Sequence, residues 1–195
     1  MIIKNDELKG VSLQRGQAYD PTGDSESRAA ESCDLLHYED LVVGQRWVSP
    51  SREITADDVA SFSELTGDFD PLHKGEAAPE AGSPFGRPVA HGLLGLSVLA
   101  GLSTEFPRAA TLALVGISDW QFDNPIFFGE TVHVVTEVTG IQPHGRRAGR
   151  ITWLRKLISD DGRTLQQGSF VTLVASKSRK SPSNSKHSEV SRLPR

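Results

Sequence analysis

The rhythm of apolar positions changes near residue 110. Before it, Val59, Phe62 and Leu65 recur every third position, which places them on one face of a helix. Thr55 stands as its N-cap, Asp58 occupies the capping-box position, Asp57 sits in the favourable first turn, and Gly67 ends the helix. A second helical segment begins near His91-Gly92 and carries Leu93, Leu94, Leu96, Val98, Leu99 and Leu102. It is apolar on nearly all sides, so it is expected to be buried and wrapped by a sheet. Beyond residue 110, Thr111–Ser118, Thr131–Thr139, Arg150–Ser159 and Gln167–Ala175 are rich in Val, Ile, Leu, Thr and aromatics and predict strands. Asp160-Asp161-Gly162-Arg163 predicts the hairpin turn between the last two. Helices first and strands afterwards predict an α+β domain with an antiparallel sheet rather than alternating βαβ units.

Both ends of the chain lack this patterning. Residues 1–34 mix Gly, Ser, Asp and Glu with few large apolar side chains and predict a flexible leader. Residues 176–195 contain seven serines and predict a disordered basic tail. The folded domain is expected over 35–175. The formal charge of the chain is −4, but the tail holds six basic residues and one acidic, leaving the first 175 residues at −9. That balance disfavours a nucleic-acid binder, which needs Lys and Arg clustered on its folded part. The single cysteine, Cys33, can form no intrachain disulfide, no Cys/His spacing resembles a structural zinc site, and Lys4, Asp6, Glu7 and Lys9 break up any continuous apolar core of the kind a secretory signal requires, so export is not expected. A cytoplasmic setting is expected. The uncharged run Pro88–Thr104 is shorter than the ~20 residues that span a bilayer, so no membrane partner is expected. No Gly-x-Gly-x-x-Gly follows a strand and no phosphate-binding Gly-x-x-x-x-Gly-Lys occurs, which disfavours dinucleotide- and nucleotide-binding folds.

The densest polar constellation is Gly67-Asp68-Phe69-Asp70-Pro71-Leu72-His73, followed 18 residues later by His91-Gly92. A carboxylate and an imidazole on one short loop form a candidate acid/base pair. The loop also reads as a structural one, in which Asp68 caps a turn and Asp70-Pro71 shapes it. Gly92 at the start of an apolar helix exposes backbone N–H groups and the positive end of the helix dipole, an oxyanion site; it also reads as a close-packing glycine beside a hydrogen-bonded core His91. Arg146, Arg147, Arg150, Arg155 and Lys156 form the one basic cluster inside the domain, either a phosphate contact or a solvated hairpin. Trp47, Trp120 and Trp153 read as packing residues.

Three blocks carry a resemblance: Thr66-Gly67-Asp68-Phe69-Asp70-Pro71-Leu72-His73, then Phe85-Gly86-Arg87-Pro88-Val89-Ala90-His91-Gly92-Leu93-Leu94, then Phe122-x-x-Pro125-x-x-x-Gly129-Glu130-Thr131. In order and spacing the chain resembles the MaoC-like dehydratase family, which includes the R-specific enoyl-CoA hydratases. The resemblance implies the hotdog fold, an antiparallel sheet wrapped around one long central helix, and a hydro-lyase acting on a 2-enoyl thioester. Asp68 and His73 match the family's catalytic pair, and Gly92 matches the residue whose N–H holds the thioester oxygen. His91 and Asp70 stand beside them at the substrate. The resemblance implies no cofactor and no metal, coenzyme A entering as part of the substrate, and a homodimer. Two positions depart from the pattern: Asp70 replaces a common Asn, and Ala100 stands where a Ser often lines the site; neither Ser97 nor Ser103 inherits that role. A thioesterase on the same fold and a non-catalytic acyl-thioester-binding subunit are the competing functions.

Overall fold

The structure is a computed structural model that describes residues 34–74 and 84–177. Apart from Asp34, Ser176 and Lys177, the expected leader and tail lie outside the described residues. The first helix, α1 (Ala56–Thr66), forms as its caps require. Thr55 Oγ1 accepts from the Asp58 N–H, the Asp58 carboxylate accepts from the Thr55 N–H, and Gly67 closes the helix at φ 76°. Only glycine adopts that left-handed geometry without steric cost.

Six strands form one antiparallel sheet: β1 (Arg46–Val48), β2 (Arg52–Ile54), β3 (Thr111–Phe122), β4 (Glu130–His144), β5 (Ala148–Ser159) and β6 (Thr164–Ala175). The order is β1-β4-β5-β6-β3, and β2 also pairs with β4. The four strands expected from the pattern all form, each longer than expected. Strands β1 and β2, three residues each, are too short for alternation to announce them. Side chains of β5 and β6 alternate across the sheet, so Ile151, Trp153, Leu157, Phe170 and Val174 join the buried core. A register irregularity near Leu157–Ile158 accompanies two consecutive buried positions, Leu165 and Gln166, and Gln166 shares the inward phase of Gly168, Phe170 and Thr172.

Helix α2 (Gly92–Leu102) spans 11 residues, about three turns. It packs on β4 and β5 through Leu94, Gly95, Val98 and Leu99. One chain covers that side alone; Leu93 on the other side is 59% exposed. The edge strand β3 is similarly open, with Leu112, Leu114, Val115, Ile117 and Phe122 all exposed. Asp119, at φ 53°, interrupts the β3–β6 register, and Trp120 lies over Gly168, where a Cβ would meet its Cε3 at 2.5 Å. The packing role expected for the tryptophans holds for Trp153, which is 1% exposed, stands edge-on to Trp47 and donates its Nε1–H to Thr172 Oγ1 at 2.8 Å. Among the described residues, no helix is long and apolar enough to cross a membrane.

Candidate active site

The polar loop after α1 is built by its own carboxylates. Asp68 Oδ1 accepts from the Asp70 N–H at 3.3 Å, and Asp70 Oδ1 accepts from the Leu72 N–H at 2.9 Å, capping a 3₁₀ turn over Pro71–His73. Asp70 therefore shapes the loop, as its place before proline suggests. The turn presents His73, whose Nδ1–H donates to the Val89 carbonyl at 2.7 Å. A carbonyl can only accept, so the proton sits on Nδ1 and the Nε2 of the neutral ring carries the free lone pair. A second bond, from the Val89 N–H to the Leu72 carbonyl at 3.0 Å, ties the loop to the chain entering α2.

His91, the residue before α2, is 3% exposed. Its ring stacks on His73 with centroids 3.7 Å apart, and on the other side meets Phe62 at 5.1 Å. His91 Nε2 donates to the Asp68 carbonyl at 3.2 Å, lies 3.4 Å from Ser63 Oγ, and stands 3.9 Å from the Asp68 carboxylate. The structure thus brings Asp68, His73 and His91 together, with one side-chain ligand atom of each within 4.8 Å of the others. The two imidazoles stack at an inclination of 29°. His91 Nε2 gives its proton to the Asp68 carbonyl and so holds no lone pair towards Asp68 in that tautomer, which leaves the Nε2 of His73 as the free acceptor of the group.

Gly92 begins α2 and lines a cavity of about 320 Å³ together with His73, Val89, Ala90, Phe122 and Ile126. As the first residue of the helix its N–H has no intrahelical partner, and it points the positive helix end into the cavity region. A Cβ on Gly92 would lie 2.9 Å from Phe122 Cε1, so a larger residue there would have to push the exposed Phe122 ring aside and would narrow the opening. Asp68, 52% exposed on its side chain, does not line this cavity in the single chain; it reaches the site from the His91 side.

Gln166 was not legible as a site residue. It is 1% exposed, lines the same cavity, and its Nε2 donates to the Gly92 carbonyl at 2.9 Å. Among the described residues its Oε1 is buried without a partner. The only available signal was a Gln-Gln pair in a strand, which does not say which of the two turns inward. The basic cluster is divided by the fold: Arg146, Arg147 and Arg150 are exposed around the β4–β5 hairpin, whereas Arg155 lies on the inner face beside Trp153 and Phe170.

A family profile described as the MaoC like domain matches residues 41–154, more than half of the chain. The chain belongs to the MaoC-like dehydratase family. A 3-hydroxybutyryl-CoA dehydratase from Methylorubrum extorquens is 35% identical over 115 residues, covering 58% of this chain and 71% of that protein. An (R)-specific enoyl-CoA hydratase from Aeromonas caviae is 35% identical over 103 residues, covering 52% of this chain and 74% of that protein. For the fold, a Mycobacterium tuberculosis protein described as a double hotdog superposes with TM-score 0.64 at 20% identity, over 76% of this chain and 46% of that one. The six-stranded antiparallel sheet of this MaoC-like chain is thus of hotdog type. Both histidines, Asp68 and Gly92 lie inside the matched span.

Proposed function

We propose that this MaoC-like protein is a hydro-lyase that reversibly hydrates a 2-enoyl thioester, an acyl-CoA, to the 3-hydroxyacyl thioester. The observation that carries the proposal is the His73 tautomer: Nδ1 is held by Val89, and Nε2 remains a free base in a residue that lines the same cavity as the Gly92 helix start. In the forward direction the oxygen of water bonds to C3 and its proton passes to the Asp68/His73 pair. The C2=C3 electrons move onto the thioester oxygen as an enolate, and C2 then takes a proton from the pair. The negative charge that develops on that oxygen is met by the Gly92 N–H, which stabilises it more in the transition state than in the substrate. His91 supports His73 from behind through the ring stack. The 35% identity to a 3-hydroxybutyryl-CoA dehydratase and an (R)-specific enoyl-CoA hydratase supports this substrate class. The residues present need no cofactor or metal for these steps.

The working unit proposed is a cytoplasmic homodimer of the 35–175 domain. A second copy laid along β3 would cover its exposed Leu112, Val115 and Ile117 and complete the wrap of the sheet around α2, removing an unpaired sheet edge. The test is a panel of 2-enoyl-CoA esters, followed by loss of enoyl absorbance, release of free thiol, and chiral analysis of the product. Hydration to one 3-hydroxyacyl enantiomer is expected. Thiol release without hydration would make the protein a thioesterase, and binding without turnover across the panel would make it an acyl-thioester-binding subunit.

A further inference from the structure

A second cavity of about 350 Å³ lies between the end of α2 and strands β3, β5 and β6. Trp153, Phe170, Leu114 and Ala100 give it apolar walls, and Ser103, Thr111 and Thr172 place hydroxyls among them. Arg155 is the only cation on its lining. Its guanidinium stands 4.6 Å from the Phe170 ring centroid and 5.9 Å from that of Trp153. Among the described residues Arg155 has no carboxylate partner, and its Nε is buried without a hydrogen bond. Burial lowers its pKa to about 10, which leaves it charged at neutral pH. The aromatic faces offset part of the desolvation, but among the described residues the buried Nε–H finds no acceptor.

The two cavities border one flank of α2. At 100° per residue, Gly92, Leu96, Ala100 and Ser103 fall within an arc of about 80°. Strand β3 follows this flank: Phe122 touches the Gly92 end, and Leu114 lines the cavity at the Ala100 end. From Gly92 to Ala100 the helix rises about 12 Å. At about 1.2 Å per bond, an extended chain covers that distance in roughly ten bonds.

We propose that the second cavity receives the far end of the acyl chain and that Arg155 binds a carboxylate there, making the preferred substrate the monothioester of a medium-chain dicarboxylic acid. The proposal rests on the hydro-lyase assignment for its thioester end. A carboxylate suits the place because it accepts two parallel N–H bonds from a guanidinium while a single cation balances its single charge. Thr172, whose Oγ1 accepts from Trp153 Nε1, keeps its own hydroxyl proton to donate nearby, and the apolar walls suit the methylenes that lead to it.

The test is calorimetric titration of the full chain with decanedioyl-CoA and decanoyl-CoA, saturated analogues that cannot be hydrated, beside hydration assays on the corresponding 2-enoyl esters. Wild-type protein should bind the dicarboxylic ester about tenfold or more tightly. Arg155→Met should bring the two affinities to within about threefold, and Arg155→Lys should retain part of the preference. If circular dichroism shows Arg155→Met unfolded, a reduced preference in Arg155→Lys carries the test. Equal or tighter binding of decanoyl-CoA by wild type, a preference that survives Arg155→Met, or no binding of either analogue would overturn the proposal. So would an absent preference together with dissociation of the dimer in Arg155→Met, because the guanidinium would then pair with the other subunit. Failure to hydrate any enoyl ester with the binding preference intact would overturn the hydro-lyase assignment alone.

Discussion

Replacing Gly95 by alanine puts a methyl group 2.3 Å from Gln166 Nε2 and 2.4 Å from Ile126 Cδ1. Neither neighbour can retreat into solvent, since Gln166 is 1% and Ile126 2% exposed. Overpacking of this kind costs about 1–3 kcal/mol, and displacing Gln166 forfeits its bond to the Gly92 carbonyl, about 0.5–1.5 kcal/mol more. Alanine returns about 1 kcal/mol in helix propensity, so Gly95→Ala should destabilise the protein by about 0.5–3.5 kcal/mol. Gly101 lies on the same helix with nothing within 4 Å of a built Cβ. Gly101→Ala therefore gains the propensity alone and should be stabilised by about 0.5–1 kcal/mol. Urea denaturation followed by tryptophan fluorescence separates the two, as does thermal melting, where the gap should be roughly 5–15 °C. Gly95→Ala should also lose turnover, because Gln166 no longer fixes the Gly92 peptide. A Gly95→Ala protein as stable as Gly101→Ala would refute the close approach between α2 and Gln166.

Asp68→Asn and His73→Gln should each lower kcat by about 10²–10⁴ through lost proton exchange, whereas Asp70→Asn, whose Oδ1 can still cap Leu72, should stay within a few-fold; an equal loss in all three would mean that the loop acts only through stability. Ile117→Glu on β3 should shift the protein from dimer to monomer in analytical ultracentrifugation, and an unchanged dimer would place the interface elsewhere. Hydrogen bonds from the Ser159 hydroxyl and from Arg163 hold Asp161 down at about 2. Its folded value lies below the unfolded one near 3.9, so this contribution is present above that value and is lost as pH falls from about 4 towards 2. Melting temperature in that range should fall less steeply for Asp161→Asn than for wild type, and parallel slopes would refute the linkage.

The parts of the structure that the sequence announces are those governed by local rules. The capping box of α1, the positive-φ Gly67 and the Asp160–Arg163 turn depend on a few adjacent residues, and each forms as expected. The site loop and the start of α2 were legible as motifs, although their meeting through the His73–Val89 bond and the His73–His91 stack is a tertiary event. Three features had no local signal. The inward turn of Gln166 accompanies a sheet irregularity, the turn of Trp120 over Gly168 accompanies a positive φ at Asp119, and both depend on neighbouring strands. Arg155 looked like one member of a solvated charge run, but strand alternation carries it to the opposite face from Arg150 and Lys156.

The two backbone-anchored bonds at Val89, one to the Leu72 carbonyl and one from the His73 ring, join positions that lie 17 and 16 residues apart. They work as a clasp: the geometry between the base and the helix start is set at the clasp itself. One of the two bonds uses backbone atoms alone, so a substitution at His73 removes the base while the Val89–Leu72 half of the clasp stays in place. Loss of the imidazole and loss of the loop are therefore separable events.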